Sequence, residues 1–293
     1  MNLVTRCFRA LALLFCLTGT WSCADHHEAK WSCSSTVMTD APRLSLQEAR
    51  ARALNGDAVG SVALSLRYLS GDGLPKDGAT GLLWIRKASD QNCPPAEDAL
   101  ASLYETGTSG VDKDVNAAIN LYRKAAEADF APSQYALGLN YALGEGVTKD
   151  DVEAFKWYKL AADKHELPDA EFAVARAYTY GTGVATNYRL AFDYAMKSAN
   201  QDYPLAEIIV AAFYSDKTKL HPKDKLEALK WMLLATTHDL DKKTRKMAVE
   251  FLNQRAAGLN SNDQKNIRDR IEVFLKLHGR HTYSIVSTSM SVH

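Results

Sequence analysis

The 293-residue chain carries 35 Lys and Arg against 35 Asp and Glu, so no global charge indicates binding to nucleic acid or to an anionic membrane surface. Its length allows one large domain or two ordinary ones. With 46% hydrophobic residues and only 8 Pro and 16 Gly, the composition favours a helix-rich array over an all-β or disordered chain.

The amino terminus has the pattern of an export signal. Arg6 and Arg9 precede an apolar run over residues 10–17, and small polar residues follow as far as Ala24. The run is too short to span a bilayer, which takes about 20 residues. We therefore predict a signal peptide over residues 1–24, and a periplasmic or secreted mature chain with no membrane-spanning segment. Two alternatives remain open, a lipoprotein anchored at Cys23 and an uncleaved anchor.

Cleavage after Ala24 would leave two of the five cysteines, Cys33 and Cys93. An oxidising compartment favours a disulfide between them, and two free thiols are equally compatible with the spacing. Residues 25–41 are predicted to form a flexible polar linker. His26 and His27 lie in it without the three or four convergent ligands of a metal site, so we interpret them as part of a polar tail.

A capping helix is predicted over residues 42–56. Ser45 and Glu48 form a capping box, and the helix reaches Leu54 before Asn55 and Gly56. It resembles a lone second helix that shields the first unit of the repeat described next.

A set of residues recurs at intervals of 36 or 37 through the middle of the chain. A tyrosine opens each set, and a glycine stands three residues later in four of them: Tyr68, Tyr104, Tyr141, Tyr178 and Tyr214; Gly71, Gly107, Gly144 and Gly181. An Asp or Asn follows, with a large apolar residue seven positions after it: Asp77, Asp114, Asp150, Asn187 and Asp224; Trp84, Leu121, Trp157, Tyr194 and Trp231.

Each repeat predicts two helices. The glycines permit the left-handed backbone of a tight turn after the first helix, and the Asp caps the second. Glu153 and Glu227 are expected to complete capping boxes with Asp150 and Asp224. The repeated Trp and Tyr are interpreted as core residues, because Ala154, Trp157, Tyr158 and Ala161 make one helical stripe. The repeated Asp residues are thus interpreted as helix caps and not as a row of residues that bind a ligand.

This unit, with its Leu-Gly-x-x-Tyr-x-x-Gly-x-Gly-Val turn and Trp-Tyr-x-x-Ala-Ala helix, resembles the Sel-one-like repeat, a relative of the tetratricopeptide repeat. The five copies are assigned to residues 57–240. The resemblance implies an all-α, right-handed superhelical solenoid of antiparallel helix pairs and an adaptor or scaffold role. The fifth copy departs from it, since residues 215–222 replace the glycine pair.

Residues 241–278 are predicted to form two capping helices, about 244–257 and 262–277, followed by a flexible tail over residues 279–293. Tyr135, Tyr188 and Tyr203 fall outside the repeat register and are predicted to be exposed. The lysines and arginines between Asp216 and Lys246 are interpreted as a solvated helix face, with an acidic partner as the alternative.

No motif indicates catalysis or a cofactor. The sequence contains no Ser-x-x-Lys, no Lys-Thr-Gly and no metal-binding motif. We therefore predict a non-enzymatic adaptor that binds a protein or peptide, and not nucleic acid, along the concave face of the solenoid. The alternative is a secreted virulence-type factor that binds a host protein. A cell-wall hydrolase or a β-lactamase-like enzyme is a weaker candidate.

Overall fold

The computed structural model describes residue 33 and residues 37–215, 224–256 and 259–277. These residues form fourteen α-helices and one short 3-10 turn, and they contain no strand. The all-helical class predicted from the sequence is confirmed. The predicted signal peptide, Cys23, the histidines at 26 and 27, most of the linker and the tail over 279–293 lie outside the described residues.

The chain divides into two units between Lys149 and Asp150. In the first unit a 3-10 turn, Ala41–Arg43, follows the first helix. The helices are α1 (Val37–Asp40), α2 (Leu46–Leu54), α3 (Ala58–Ser70), α4 (Gly78–Ser89), α5 (Pro94–Thr106), α6 (Val115–Glu127) and α7 (Ala131–Leu143). From α2 to α7 each helix packs against the next, most extensively within the pairs α3–α4 and α5–α6. Helix α1 packs on α3.

The second unit repeats this order. Its helices are α8 (Asp151–His165), α9 (Pro168–Tyr180), α10 (Tyr188–Asn200), α11 (Pro204–Ser215), α12 (Lys225–Thr236), α13 (Lys242–Ala256) and α14 (Ser261–Leu277). The pairs α9–α10 and α11–α12 pack most extensively, and both α13 and α14 pack on α12.

Recurring backbone bonds join the two helices of a pair. Gly71 ends α3 in the left-handed region, with φ of 84°, and its N–H donates to Arg67 O. The N–H of Asp77 then donates to Tyr68 O at 2.8 Å, and the same bond joins Asp114 to Tyr104. The tyrosine and aspartate of the repeat are thus the two ends of one turn, closed through their main-chain atoms.

The side chains of the repeated Asp and Asn cap the second helices. Oδ1 of Asp77 accepts from Thr80 N at 3.0 Å, and the side chains of Asp114, Asp150, Asn187 and Asp224 accept equivalent bonds. The reciprocal half of the expected capping boxes is absent at Asp150 and Asp224 among the described residues. Glu153 pairs instead with Lys156, and Glu227 with Lys230 and Arg270, because these cations compete for the carboxylates. The box at Ser45 and Glu48 is complete.

The second glycine of a turn also touches the preceding repeat. A Cβ on Gly183 would lie 1.9 Å from Asp151 O, and one on Gly146 would lie 2.5 Å from a methyl group of Val115. By contrast, a Cβ on Gly73 would meet nothing within 4 Å. The turn of one repeat therefore rests on the first turn of the second helix before it, where backbone approaches backbone.

We expect Gly183→Ala to destabilise the second unit by about 2–3 kcal/mol, because alanine adds both left-handed strain and a collision with the main chain. Gly73→Ala, which adds strain alone at φ of 68°, should cost about 1 kcal/mol. Urea unfolding of both variants measures the difference. Equal losses would contradict the close backbone contact.

A large part of the burial in the second helices lies one residue after the repeated Trp and not at the Trp itself. Trp84, Leu121 and Trp157 are only half-buried, whereas Tyr194 and Trp231 are buried. The next residue is buried in every repeat: Ile85, Tyr122, Tyr158, Ala195 and Met232. The interpretation of Trp157 as a core residue thus needs correction, since its ring lies at the edge of the stripe formed by Ala154, Tyr158 and Ala161.

The structure joins Cys33 and Cys93 in a disulfide. Cys93 is fully buried at the residue before α5, and Cys33 packs against the same hydrophobic cluster, which includes Val37, Val62 and Ile85. The bond links residue 33 to the first two repeats.

Candidate interaction surface

Helix α9 presents a row of side chains with mixed aromatic and cationic character. Phe172, Arg176 and Tyr180 are spaced four residues apart, so they lie on one face of the helix. Tyr180 is 70% exposed, Arg176 is exposed and Phe172 is half-buried. The guanidinium carbon of Arg176 lies 5.8 Å from the centroid of the Phe172 ring, within cation–π range. We call these three residues the α9 stripe.

The base of the stripe is fixed by packing. The centroid of the Phe172 ring lies 5.1 Å from that of Tyr203, which stands in the turn between α10 and α11. The hydroxyl of Tyr203 hydrogen-bonds to Asp169; burial raises the pKa of this carboxyl, and the hydrogen bond opposes that rise. Tyr178, on the opposite side of α9, packs against Phe155 and Tyr194. One end of the stripe is therefore rigid, and the other, at Tyr180, is open to a partner.

The stripe position varies between repeats, although a glycine begins the turn beside it in each of the first four repeats. Its counterparts are Tyr135, Leu139 and Leu143 in the third repeat, and Asp98, Ser102 and Thr106 in the second. Leu143, like Tyr180, is exposed. Tyrosine and arginine are enriched among residues that dominate binding energy at protein interfaces. This position can thus vary in recognition chemistry while the scaffold stays the same.

The three tyrosines predicted to be exposed behave differently. Tyr188, the first residue of α10, is 46% exposed, but Tyr135 and Tyr203 are half-buried. The prediction is wrong for these two, whose side chains are only partly accessible; the ring of Tyr203 packs against that of Phe172. Lys217, Lys219 and Lys223 of the basic segment lie outside the described residues. The spacing of Phe172, Arg176 and Tyr180 was visible in the sequence and was missed.

A second recurring feature is a buried acid or amide at the fourth position of the first helices. Glu97, Gln134, Glu171 and Glu207 are each at most 1% exposed. Three of them belong to a Pro-x-x-Glu motif, beginning at Pro94, Pro168 and Pro204, which was a signal in the sequence that we did not use. Burial of a carboxylate is costly without a partner, so each needs one.

The partners differ from repeat to repeat. Glu97 pairs with Lys124 Nζ at 2.7 Å. The amide of Gln134 donates to Asp129 Oδ1 at 3.0 Å, and Glu171 Oε2 accepts from Gln201 Nε2 at 2.7 Å. Each contact ties the first helix to the end of a second helix or to the turn after it. These residues hold the pairs in register and do not face solvent.

Glu171 makes the stability of the second unit depend on pH. Burial raises its pKa from 4.5 to about 7, against the attraction of Lys197 and with repulsion from Glu166 and Asp163. Between pH 4.5 and pH 7 the folded state therefore binds more protons than the unfolded state. The stability that protonated Glu171 contributes to the folded state is fully present below pH 4.5 and is lost as the pH rises through 7.

We expect Glu171→Gln to remove this dependence. As the pH rises from 4.5 to 8, the stability of the variant should increase by roughly 1–3 kcal/mol relative to that of the unmodified chain. Glutamine occupies the equivalent position at 134, so the fold accepts it. Urea unfolding at several pH values measures the effect, with Asp193→Asn, an exposed carboxyl on α10, as control. A relative stability that stays constant with pH would contradict the raised pKa.

Comparison with known families decides the identity of the repeat. The model of the Sel1 repeat matches residues 59–93, 94–130, 131–165, 168–203 and 211–239, together more than half of the chain. The chain belongs to the Sel1 repeat family. The resemblance stated from the sequence is thereby confirmed, and the matched segments follow the helix pairs from α3–α4 to α11–α12.

Solved structures share the Sel1 repeat fold. A Sel1 repeat protein from Oxalobacter formigenes is 25% identical, with a TM-score of 0.63 over 78% of this chain and 99% of that one. The protective antigen c5321 of uropathogenic Escherichia coli, with an SLR fold, is 19% identical over 95% and 72% of the two chains, with a TM-score of 0.46. A putative Sel1 repeat protein from Klebsiella pneumoniae is 19% identical over 73% and 100%, with a TM-score of 0.45.

No curated protein matches the chain. Sel1 repeats are interaction scaffolds that bind other proteins and are typically non-catalytic. None of the described helices combines the length and the apolar character needed to cross a membrane.

Proposed function

We propose that this Sel1 repeat protein is an exported, non-catalytic adaptor that binds a protein segment along the first helices of successive repeats, with the α9 stripe as its main anchor. The observation that carries the proposal is the stripe itself. Arg176 and Tyr180 are exposed, while the repeat residues that surround them are engaged in turns, caps and core packing.

Helix α9 suits this role because a small residue stands beside its anchors. Ala173 is half-buried and lies three residues before Arg176, so a partner can approach the helix closely there, whereas Ala170, Ala175 and Ala177 are buried in the scaffold. In the superhelix that the family implies, the first helices line the concave face. Affinity in such an extended surface comes from a few anchors rather than from one pocket.

Export is supported by the amino-terminal pattern and by the disulfide of Cys33 and Cys93, since disulfides persist in oxidising compartments. Mass spectrometry of the mature chain from a fractionated bacterial host tests this part. We expect a first residue of Asp25 in the periplasmic or secreted fraction. A lipidated Cys23 as the first residue would indicate a membrane-anchored lipoprotein instead, and an intact Met1 in the cytoplasm would contradict export.

Site-specific photo-crosslinking tests the binding surface. A photo-reactive phenylalanine analogue at Tyr180 should give a discrete crosslinked protein in cells of the source organism, and Arg176→Ala in the same chain should weaken that product. The same analogue at Asp193, exposed on a second helix, is the matched control. Equal crosslinking at both positions, or none at Tyr180, would contradict the proposed surface.

A further inference from the structure

The fifth repeat brings together three side chains that no part of the scaffold role requires. Asp202 lies in the turn before α11, Glu207 is the fourth residue of α11, and His238 follows the end of α12. The Nε2 atom of His238 lies 3.0 Å from Asp202 Oδ1 and 3.5 Å from Glu207 Oε2. The three potential ligand atoms all lie within 4.8 Å of one another.

These separations suit a bound ion. Zinc forms bonds of about 2.0–2.2 Å to imidazole nitrogen and carboxylate oxygen, so neighbouring ligands around it lie about 3.3–3.6 Å apart. The two separations from His238, 3.0 Å and 3.5 Å, are close to this range, and the two carboxylate oxygens lie within 4.8 Å of each other. Two carboxylates and one neutral imidazole also form a donor set that zinc accepts, with the fourth position open to water.

The position of the histidine nitrogen supports the same reading. Nε2 of His238 is buried, and within the described part of the chain it makes no hydrogen bond of ordinary geometry, although two carboxylates are close. Glu207 is completely buried, and its carboxylate is directed at this nitrogen. An ion between the three groups would be bound by all of them at once.

Comparison among the repeats shows how the fifth differs. The buried glutamate contacts a lysine in the second repeat and a glutamine amide in the fourth, namely Lys124 and Gln201. Both partners donate hydrogen bonds to the carboxylate, and neither is a common metal ligand. In the fifth repeat the partner is His238, and Asp202 supplies a second carboxylate from the left-handed turn position, with φ of 71°. A hydrogen-bond donor, Gln201, is thus replaced in the fifth repeat by His238, a residue type that binds metals.

We propose that Asp202, Glu207 and His238 bind a divalent transition-metal ion, with Zn²⁺ as the ion their chemistry favours. The ion would join the turn before α11 to the segment after α12 and so fasten the last repeat. Arg245 holds that segment from the other side, because it donates to His238 O at 3.2 Å and lies 3.6 Å from Asp239.

Calorimetric titration of the untagged, metal-free chain with ZnCl₂ tests the proposal. We expect one site per chain whose affinity falls at least tenfold in His238→Gln, a change that gives the fifth repeat the donor of the fourth. Glu171→Gln, at the equivalent buried acid, is the control and should bind Zn²⁺ as the unmodified chain does. Binding of equal stoichiometry and affinity in His238→Gln, or none in the unmodified chain, would overturn the site.

A second variant separates ligand loss from misfolding. Asp202→Asn changes an exposed carboxylate and should leave the metal-free melting temperature unchanged while it removes most of the increase that Zn²⁺ causes. Substitution by Co²⁺ adds a direct view, since a four-coordinate Co²⁺ site absorbs visible light strongly. Strong absorption in the unmodified chain and its loss in both variants supports the site, and absorption retained in both variants contradicts it.

Discussion

Trp231→Ala is expected to lower the free energy of unfolding of the second unit by about 3–5 kcal/mol. Trp231 is 2% exposed, and its ring meets the ring of Phe274 edge to face, with centroids 4.9 Å apart. Alanine would leave a cavity between α12 and α14 and remove that aromatic contact. The lost contacts are those between the last repeat, at α12, and α14, the helix that covers it.

The depth of this core explains the size of the effect. Every residue from Ala228 to Ala235 is buried, because α11, α13 and α14 all pack on α12. A helix buried on all sides cannot relax toward solvent to fill a cavity. The ammonium group of Lys230 lies there 2.7 Å from Glu227 and over the ring faces of Trp231 and Phe274.

Urea unfolding followed by circular dichroism measures this effect, and Trp157→Ala is the matched control. Trp157 holds the same repeat position but is half-buried, so its loss should cost only about 1–2 kcal/mol. Equal losses of stability in the two variants would contradict the prediction that the buried ring contributes more than the half-buried one.

Reduction of the Cys33–Cys93 bond is expected to cost about 2–4 kcal/mol of stability in the first unit. The bond closes a sequence separation of 60 residues, and a closed loop of that length restricts the unfolded chain strongly. Cys33→Ala should reproduce the loss, because Cys33 is only partly buried and its own packing contributes less than the bond.

Urea unfolding with and without reductant, together with mass spectrometry after thiol alkylation, measures this second effect. The Cys33→Ala variant is the control, and its stability should not respond to reductant. The prediction applies to chain obtained from the periplasm. Two freely alkylated thiols in that material would contradict the bond.

The sequence by itself determined the repeat and most of its local structure. Turns and caps depend on residues close together in the chain, so the spacing of Tyr68, Gly71 and Asp77 was enough to predict a helix, a left-handed turn and a second helix. The family followed from the same residues. Residues close in the sequence were enough to predict that Asp150 and Asp224 cap their helices, but the reciprocal bonds expected from Glu153 and Glu227 do not form. Arg270, which competes for Glu227, lies 43 residues away.

Only the tertiary structure decided which side chains are buried and which meet. Trp157 and Trp231 occupy one repeat position, yet the first is half-buried and the second is covered by α14. Glu171 and Glu207 occupy another, yet one meets Gln201 and the other His238. Such differences depend on contacts between residues about 30 or more positions apart, and a periodic pattern cannot specify them. The scaffold is therefore a local property of this sequence, whereas the exposure of the α9 stripe and the proposed metal site are consequences of its packing.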